Sequence, residues 1–252
     1  MNITFEGRTA IVTGAGHGFG RAIACAFAER GAKVHICDVN GEGMAATAAT
    51  AGAKCHPHIL DVGNRDAVQQ VVSEIEAESD AVDILVNNAG GVRGQVGRPL
   101  EEISQADWQT IFDANLSGAF FLTQAVTPGM KRKRYGRVIN ISSGAGLGIS
   151  LTGIQAYASA KAGQIGLTRQ LAHELGPWGI TVNNVAPGFV RSNPTTERQW
   201  EAMGAEGQER LIQSIALKRL GAPSDIAAMV MFFASDHAGW ISGQVISVDG
   251  GR

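Results

Sequence analysis

Short apolar runs alternate with longer amphipathic stretches along almost the whole chain of 252 residues. The first run covers residues 9–13, the second 33–38 and the fourth 83–87, and a stretch with helical spacing of apolar residues follows each of them. Runs that are apolar throughout are typical of strands in a parallel sheet with helices on both faces. The pattern predicts an α/β protein with a single-domain, doubly wound parallel sheet of about seven strands flanked by helices.

One domain is therefore expected over residues 1–252, and its last helix is expected over 224–234 with Ser224 as the N-cap. A polar, mixed segment at about 190–215 interrupts the regular alternation, and it predicts a helical flap beside a substrate. Doubly wound sheets bind ligands outside the carboxyl ends of their strands. Polar residues and glycines at those ends are therefore the first candidates for a functional site.

The charge balance and the cysteines limit the possible partners. A net charge of −2 gives no electrostatic basis for binding nucleic acid or an anionic membrane, and no apolar run reaches about 18 residues. The three cysteines are odd in number and form no Cys-x-x-Cys pair, which predicts reduced thiols in a cytoplasmic protein. No metal site is expected, because His56 and His58 have no third ligand close to them in the sequence.

A glycine-rich loop joins the first apolar run to the helix after it. Gly14 permits a tight turn, while Gly18 and Gly20 leave room for a pyrophosphate at the helix N-terminus, where free N–H groups attract anions. The alternative for this spacing is an ordinary strand–helix turn. His17 and Phe19, in the same loop, are further candidates for cofactor contact, although His17 also suits a solvated turn.

Acidic and amide side chains follow the next strands. Asp38 ends the second run, where a carboxylate accepts hydrogen bonds from an adenosine ribose and repels a 2′-phosphate. No arginine or lysine follows it directly, so NAD is the expected cofactor and NADP is less favoured. Asp61 and Val62 are candidates for adenine contact, and the alternative for Asp61 is a helix cap. The candidates after the fourth run are Asn88, Ala89 and Gly90.

Tyr157 and Lys161 stand one turn apart on a helix expected from Ile154 to Leu175. A phenol is a poor base at neutral pH because its pKa is about 10, and an ammonium nearby lowers that pKa. The pair is therefore a candidate acid/base that moves a proton to or from an alcohol oxygen. The alternative for the isolated motif is a solvated surface pair.

Several motifs occur in one order along the chain: the glycine loop, Asn87-Asn88-Ala89-Gly90, Asn115, Ser142-Ser143, Tyr157-x-x-x-Lys161 and Pro187-Gly188. Together they resemble the classical short-chain dehydrogenases/reductases over essentially the whole chain. The resemblance implies a Rossmann fold and an NAD(P)-dependent oxidoreductase acting on CH–OH groups. It also implies a homotetramer.

The resemblance further implies roles for single residues. Tyr157 exchanges the proton with the substrate, and Lys161 lowers the pKa of Tyr157 and holds the nicotinamide ribose. Ser143 holds the substrate oxygen, in line with the need for donors where a carbonyl becomes an alkoxide. Asn115 bends its helix and holds a water of the proton relay. The nicotinamide carboxamide is expected at Pro187, Gly188, Val190 and Ser192.

The predicted substrate loops contain both charged and apolar residues. The candidates for substrate contact are Arg93, Gln155, Phe189 and Arg191. This mixed character favours a small polar hydroxy compound, such as a sugar or polyol, as the substrate oxidised or reduced with NAD(H). The alternatives are an NADPH-dependent 3-oxoacyl thioester reductase and a non-enzymatic nucleotide-sensing or scaffold protein.

Overall fold

The computed structural model describes residues 2–252 and contains one sheet of seven parallel strands. The strands are β1 Thr9–Thr13, β2 Lys33–Asp38, β3 Cys55–Ile59, β4 Ile84–Asn87, β5 Gly136–Ile141, β6 Ile180–Pro187 and β7 Val245–Val248. They lie side by side in the order β3-β2-β1-β4-β5-β6-β7, so the strand order reverses between β1 and β4. The doubly wound α/β sheet predicted from the sequence is confirmed.

Helices connect the strands and cover both faces of the sheet. They are α1 Gly18–Glu29, α2 Gly41–Ala51, α3 Arg65–Ser79, α4 Gln105–Phe112, α5 Gly118–Lys133, α6 Gln155–Leu175, α7 Pro194–Ala202, α8 Gly204–Ser214 and α9 Pro223–Ala234. Most bounds lie within two residues of the predicted ones. Helices α7 and α8 occupy the segment interpreted as a flap, whose role beside a substrate stays a prediction.

The predicted N-cap of the last helix is wrong. The sequence favoured Ser224, but α9 begins at Pro223 and its N-cap is Ala222. Proline suits the first helical position because its φ is already helical and an N–H there has no partner within the helix. Asp225 completes the helix start, since its carboxylate accepts the N–H of Ala222 at 2.8 Å.

The core consists of two apolar layers, one on each face of the sheet. Ile11 and Val12 are neighbours on β1, yet Val12 packs with Phe27 of α1 and Ile11 packs with Leu122 of α5. Successive strand residues point to opposite faces, so a strand buried on both sides must be apolar at every position. Among residues 2–252, no helix combines the length and apolar character that a membrane span requires.

Three histidines lie together on the two outer strands at one edge of the sheet. His35 on β2 is buried, its Nδ1 lies 2.9 Å from Nε2 of His58, and its ring stacks on that of His56. No group of three or more potential ligands in residues 2–252 is arranged to hold a metal ion. Burial, and secondly the neighbouring His58, lowers the pKa of His35 to about 3, so this ring stays neutral in the folded protein.

Protonation of His35 is therefore expected to destabilise the protein in mild acid. The unfolded chain takes up a proton at its ordinary pKa of 6.5, whereas the folded chain does so only near 3. The contribution of His35 to stability is complete above 6.5, and about 2 kcal/mol of it is lost between pH 7 and pH 5.

Urea unfolding at pH 7 and pH 5 tests this expectation. His35→Leu should lower the difference in the free energy of unfolding between pH 7 and pH 5 by about 2 kcal/mol. The exposed control His237→Leu should leave that difference unchanged. An equal pH dependence in wild type and His35→Leu would contradict the buried neutral ring.

Candidate active site

Two adjoining cavities lie at the carboxyl ends of the central strands. The first, of about 320 Å³, lies where the strand order reverses between β1 and β4, which is the ligand position typical of doubly wound sheets. The second, of about 430 Å³, lies beside it at the ends of β5 and β6. Both are lined by Ser142, Tyr157 and Ser192.

Most of the predicted site residues line these cavities. The first cavity contains Gly14, His17, Gly18, Phe19, Asp38, Asp61, Val62, Asn88, Ala89, Gly90, Arg93, Tyr157, Lys161 and Ser192. The second contains Phe19, Ser143, Tyr157, Pro187, Gly188, Phe189, Val190 and Ser192. Four predicted residues line neither cavity: Gly20, Asn115, Gln155 and Arg191.

The N-terminus of α1 opens onto the first cavity without a side chain over it. Its N-cap, His17, makes no side-chain hydrogen bond to the helix, and the first turn contains no acidic residue. Gly18 has a φ of 56°, and a Cβ there would lie 2.7 Å from the carbonyl oxygen of Ser192, so only glycine fits. Free N–H groups and the helix dipole at this position fit a cofactor pyrophosphate. Gly20 lies behind the loop, where a Cβ would collide with the carbonyl of Gly14.

Asp38 is held at the far end of the first cavity by backbone donors. Its Oδ2 accepts the N–H of Gly16 at 2.8 Å, and its Oδ1 accepts the N–H of Asn40 at 2.9 Å. Each oxygen keeps a lone pair for a ribose hydroxyl. The two cationic side chains that line this cavity, Arg93 and Lys161, belong to the loop after β4 and to α6 rather than to the loops beside Asp38.

Asn88 joins β1 to β4 at the base of this cavity. Its side-chain Nδ2 donates to the carbonyl oxygens of Thr13 at 2.9 Å and Gly14 at 3.1 Å. The Thr13 hydroxyl in turn accepts the backbone N–H groups of Asn88 at 3.0 Å and Ala89 at 2.9 Å. These four hydrogen bonds hold the glycine loop and the loop after β4 in one arrangement.

Asp61 and Val62 follow β3 at the same cavity. The Oδ1 atom of Asp61 accepts the N–H of Gly63 at 3.0 Å, so this carboxylate closes its own turn. That bond matches the alternative role of a cap, and it leaves the other carboxylate oxygen free. Val62 is buried and offers an apolar surface at the cavity wall.

A single turn of π-helix, Asp113–Ser117, separates α4 from α5 and contains Asn115. The Asn115 side chain is fully buried, and its Nδ2 donates to the carbonyls of Ile111 at 2.8 Å and Gly91 at 2.9 Å. Its Oδ1 accepts the N–H of Gly91 at 2.8 Å. Such π-turns are rare and often occur at functional sites. Here the turn positions an amide that fixes the loop after β4.

The two adjacent serines after β5 have different surroundings. Ser142 is buried, and its hydroxyl is bound to the side chain of Asn184 on β6. Ser143 lines the second cavity, and its hydroxyl accepts the N–H of Ala145 at 3.1 Å. Of the two serines, only Ser143 therefore directs its hydroxyl to Tyr157 at the second cavity.

Desolvation determines the protonation of Tyr157 and Lys161. It raises the pKa of Tyr157 above its ordinary value, and the hydrogen bond with Ser143 opposes that rise. It lowers the pKa of Lys161 to about 7. Lys161 Nζ donates to the Ile141 carbonyl at 2.8 Å and to Gln164 Oε1 at 3.2 Å. The expected lowering of the Tyr157 pKa by Lys161 is not seen in this arrangement, where the ammonium lies 5.9 Å from the centre of the tyrosine ring.

The four substrate candidates lie in different places. Phe189 lines the second cavity and Arg93 lines the first. Gln155 turns away, and its Nε2 donates to the carbonyl of Arg98 at 3.1 Å. Arg191 pairs with Glu197, with the closest N–O distance 2.8 Å. Two of the polar groups expected to contact a substrate are thus already bound to the protein.

Several residues at the cavities were not identified from the sequence. Gln164 holds Lys161, and its position three residues later on the same helix face was the available signal. Ile149 and Leu151 line the second cavity although their side chains are largely exposed. No periodic pattern marks them, because they belong to an irregular loop.

Comparison with known proteins agrees with this geometry. A family model described as enoyl-(acyl carrier protein) reductase matches residues 14–252. A (2S)-((R)-hydroxy(phenyl)methyl)succinyl-CoA dehydrogenase subunit of Thauera aromatica is 40% identical over 98% of this chain and 97% of its own. The 3-oxoacyl-(acyl-carrier-protein) reductase of Escherichia coli (strain K12) is also 40% identical, over 99% of this chain and 98% of its own. Among solved structures, levodione reductase superposes with a TM-score of 0.91 at 32% identity, covering 98% and 97% of the two chains.

A Rossmann-type sheet and relatives matched over nearly their full length define an oxidoreductase that acts on CH–OH groups. The chain belongs to the classical short-chain dehydrogenase/reductase family. The family resemblance read from the sequence motifs is therefore confirmed. The roles of single residues at the site stay predictions, which substitutions can test.

Replacement of Tyr157 by phenylalanine removes only the hydroxyl. Because a positioned proton donor contributes about 100- to 10,000-fold to a rate, we expect Tyr157→Phe to lower turnover at least about 100-fold. Cofactor binding, measured by fluorescence titration, should change little. The only other tyrosine, Tyr135, lies at the other end of the sheet, where its hydroxyl lies 3.2 Å from Asp236. Tyr135→Phe is thus the matched control, and a Tyr157→Phe enzyme with near-native turnover would disprove the acid/base role.

Proposed function

We propose that the protein interconverts 3-oxoacyl and 3-hydroxyacyl thioesters and uses NAD(H) as its cofactor. The main support is that relatives 37–40% identical over nearly the whole chain are named for acyl thioester substrates. One is named for a CoA ester and the others for an acyl carrier protein, so the shared chemistry is an acyl group on a thioester.

The contacts of two polar residues speak against a hydroxyl-rich substrate. The sugar or polyol hypothesis rested in part on Gln155, whose amide is bound to a backbone carbonyl outside both cavities. Arg191 is paired with Glu197. In the second cavity, the hydroxyls of Ser150 and Thr152 lie 2.8 Å apart and bind each other. The polar side chains that remain at this cavity, among them Gln199, Asp249 and Arg252, are not the ones expected to bind a polyol. A thioester needs only its reacting oxygen to be bound.

The site suits proton transfer at the C3 oxygen of such a substrate. During reduction, negative charge develops on the carbonyl oxygen, and the hydroxyls of Ser143 and Tyr157 are the donors beside it. Tyr157 gives its proton to this oxygen, and in the reverse reaction it takes the proton back. The phenolate that remains accepts the hydrogen bond of Ser143, which favours the ionised form. The nicotinamide, when bound, donates hydride in the reduction and accepts it in the oxidation.

The cofactor preference for NAD(H) is argued from Asp38. Its carboxylate is fixed by two backbone donors at the end of the cavity where the adenosine ribose is expected. A 2′-phosphate there would lie against this negative charge, and the guanidinium of Arg21 is already bound to the carbonyls of Gly16 and Gly43. A ribose diol would instead donate to the carboxylate oxygens.

The assembly is proposed to be a homotetramer. Besides the family resemblance, two apolar surfaces support self-association. Phe120 of α5 is partly exposed beside a groove between α5 and α6, and Trp240, shortly before β7, is fully exposed. Exposed apolar surface of this kind often marks a protein interface. A cytoplasmic location likewise remains a prediction.

The substrate proposal is tested by absorbance of the reduced cofactor. Acetoacetyl-CoA with NADH should be reduced with a much higher kcat/KM than that for oxidation of sorbitol with NAD, because the relatives that support the proposal are named for acyl thioesters. Turnover of the polyol without turnover of the thioester would contradict the proposal. If neither substrate is turned over while NADH still binds, the nucleotide-sensing alternative would be favoured.

The cofactor proposal has its own test. Asp38→Ala combined with Val39→Arg replaces the carboxylate and adds a cation, so the ratio of kcat/KM for NADH to that for NADPH should fall at least about tenfold. The exposed residue Val39 changed alone to Ala is the control and should keep the ratio. If the double variant keeps the wild-type NADH/NADPH ratio of kcat/KM, Asp38 does not discriminate between the ribose and its 2′-phosphate.

A further inference from the structure

The loop after β5 exposes three large apolar side chains, and two of them lie at the second cavity. Leu147 is 52% exposed, Leu151 63% and Ile149 fully, and we call these three residues the apolar rim. Ile149 and Leu151 also line the cavity that contains Ser143 and Tyr157. Apolar surface left in water costs about 25 cal/mol per Å² relative to burial, so a ligand that covers the rim gains binding energy.

The loop that carries the rim is held by its own polar groups. The hydroxyl of Thr152 accepts the N–H of Ile154 at 3.2 Å, and the hydroxyl of Ser150 accepts the N–H of Thr152 at the same distance. The backbone turn is thus supported without any contribution from the rim side chains. Their exposure does not stabilise the loop, which leaves them available to a ligand.

A second loop lies against this one and adds further exposed apolar residues. Gln155 Nε2 donates to the carbonyl of Arg98, and a Cβ at Gly97 would lie 3.1 Å from the carbonyl oxygen of Thr152. Val96 and Leu100, on either side of this contact, are each 71% exposed. The two loops therefore form one wall, with apolar residues on both parts.

We propose that the apolar rim binds the tail of the acyl chain, so that the enzyme selects 3-oxoacyl thioesters longer than four carbons. This inference rests on the proposed function and specifies its substrate class. The rim is continuous with the cavity of Ser143 and Tyr157, and a chain whose carbonyl lies at these hydroxyls runs over Ile149 and Leu151 as it leaves that cavity. A four-carbon acyl group ends at C4 and has no further methylene groups with which to cover them.

The size of the effect follows from the transfer energy of methylene groups. Each buried CH₂ contributes about 0.8 kcal/mol, or roughly fourfold in kcat/KM. An eight-carbon substrate has four more methylenes than acetoacetate. Even with half of them buried, kcat/KM should rise at least about tenfold between the two lengths.

The experiment measures kcat/KM for N-acetylcysteamine thioesters of 3-oxo acids with four, six and eight carbons. These thioesters have no carrier phosphates, so chain length is the main variable. In the wild type, kcat/KM should rise with the length of the acyl chain. The double variant Ile149→Ser, Leu151→Ser should not show this rise. Leu217→Ser is the matched control, because Leu217 is 64% exposed and lines neither cavity. In the Leu217→Ser variant, kcat/KM should rise with chain length as in the wild type.

A wild type without any dependence on length would overturn the proposal, and this measurement needs no variant. A double variant that keeps the rise would overturn it as well. If that variant also lost subunit mass in sedimentation velocity, the rim would be a subunit contact. Absence of turnover with every thioester would refute the proposed function itself. Turnover of the four-carbon substrate without a length effect would refute only this inference.

Discussion

The side-chain amide of Asn88 joins the two central strands where the strand order reverses, and the arrangement of the cleft depends on this bond. Its Nδ2 bridges the last carbonyls of β1, while the Thr13 hydroxyl binds the backbone after β4. A parallel sheet lets neighbouring helices diverge at such a point, which opens a crevice. Without these bonds, the glycine loop and the loop after β4 would have no fixed distance across it. The same crevice receives the N-terminus of α1 on one side and Asp38 on the other.

Desolvation sets the pKa values of the two candidate acid/base residues, Tyr157 and Lys161. Lys161 is buried and its pKa falls to about 7, while the pKa of Tyr157 rises above its ordinary value. Near neutral pH the charge of Lys161 is therefore sensitive to its surroundings, whereas Tyr157 stays protonated. The Ile141 carbonyl and Gln164 keep Lys161 in place, and the π-turn at Asn115 fixes the backbone on its other side. The fold therefore fixes the positions of these groups, and position is the first requirement of proton transfer.

The substrate end differs from the cofactor end in how its polar groups are used. At the cofactor end, backbone N–H groups and Asp38 face the cavity. At the substrate end, Gln155 and Arg191 bind other protein groups, and apolar side chains reach the opening. Specificity on this fold arises in irregular loops attached to a rigid sheet. The relatives named for thioester substrates agree with this distribution of polarity.

The sequence alone determined the sheet, the helices and most of the cleft. Continuous apolar runs and helical spacing are local signals, and motifs at strand ends must meet because parallel strands end at one edge. Thus Asp38, Asn88, Ser143 and Tyr157 were predicted together and lie together. Only the tertiary structure decided which way Gln155 turns, that His35 joins His56 and His58, and that Ile149 stays exposed. These outcomes depend on contacts between distant segments and on desolvation, and neither leaves a periodic signal in the sequence.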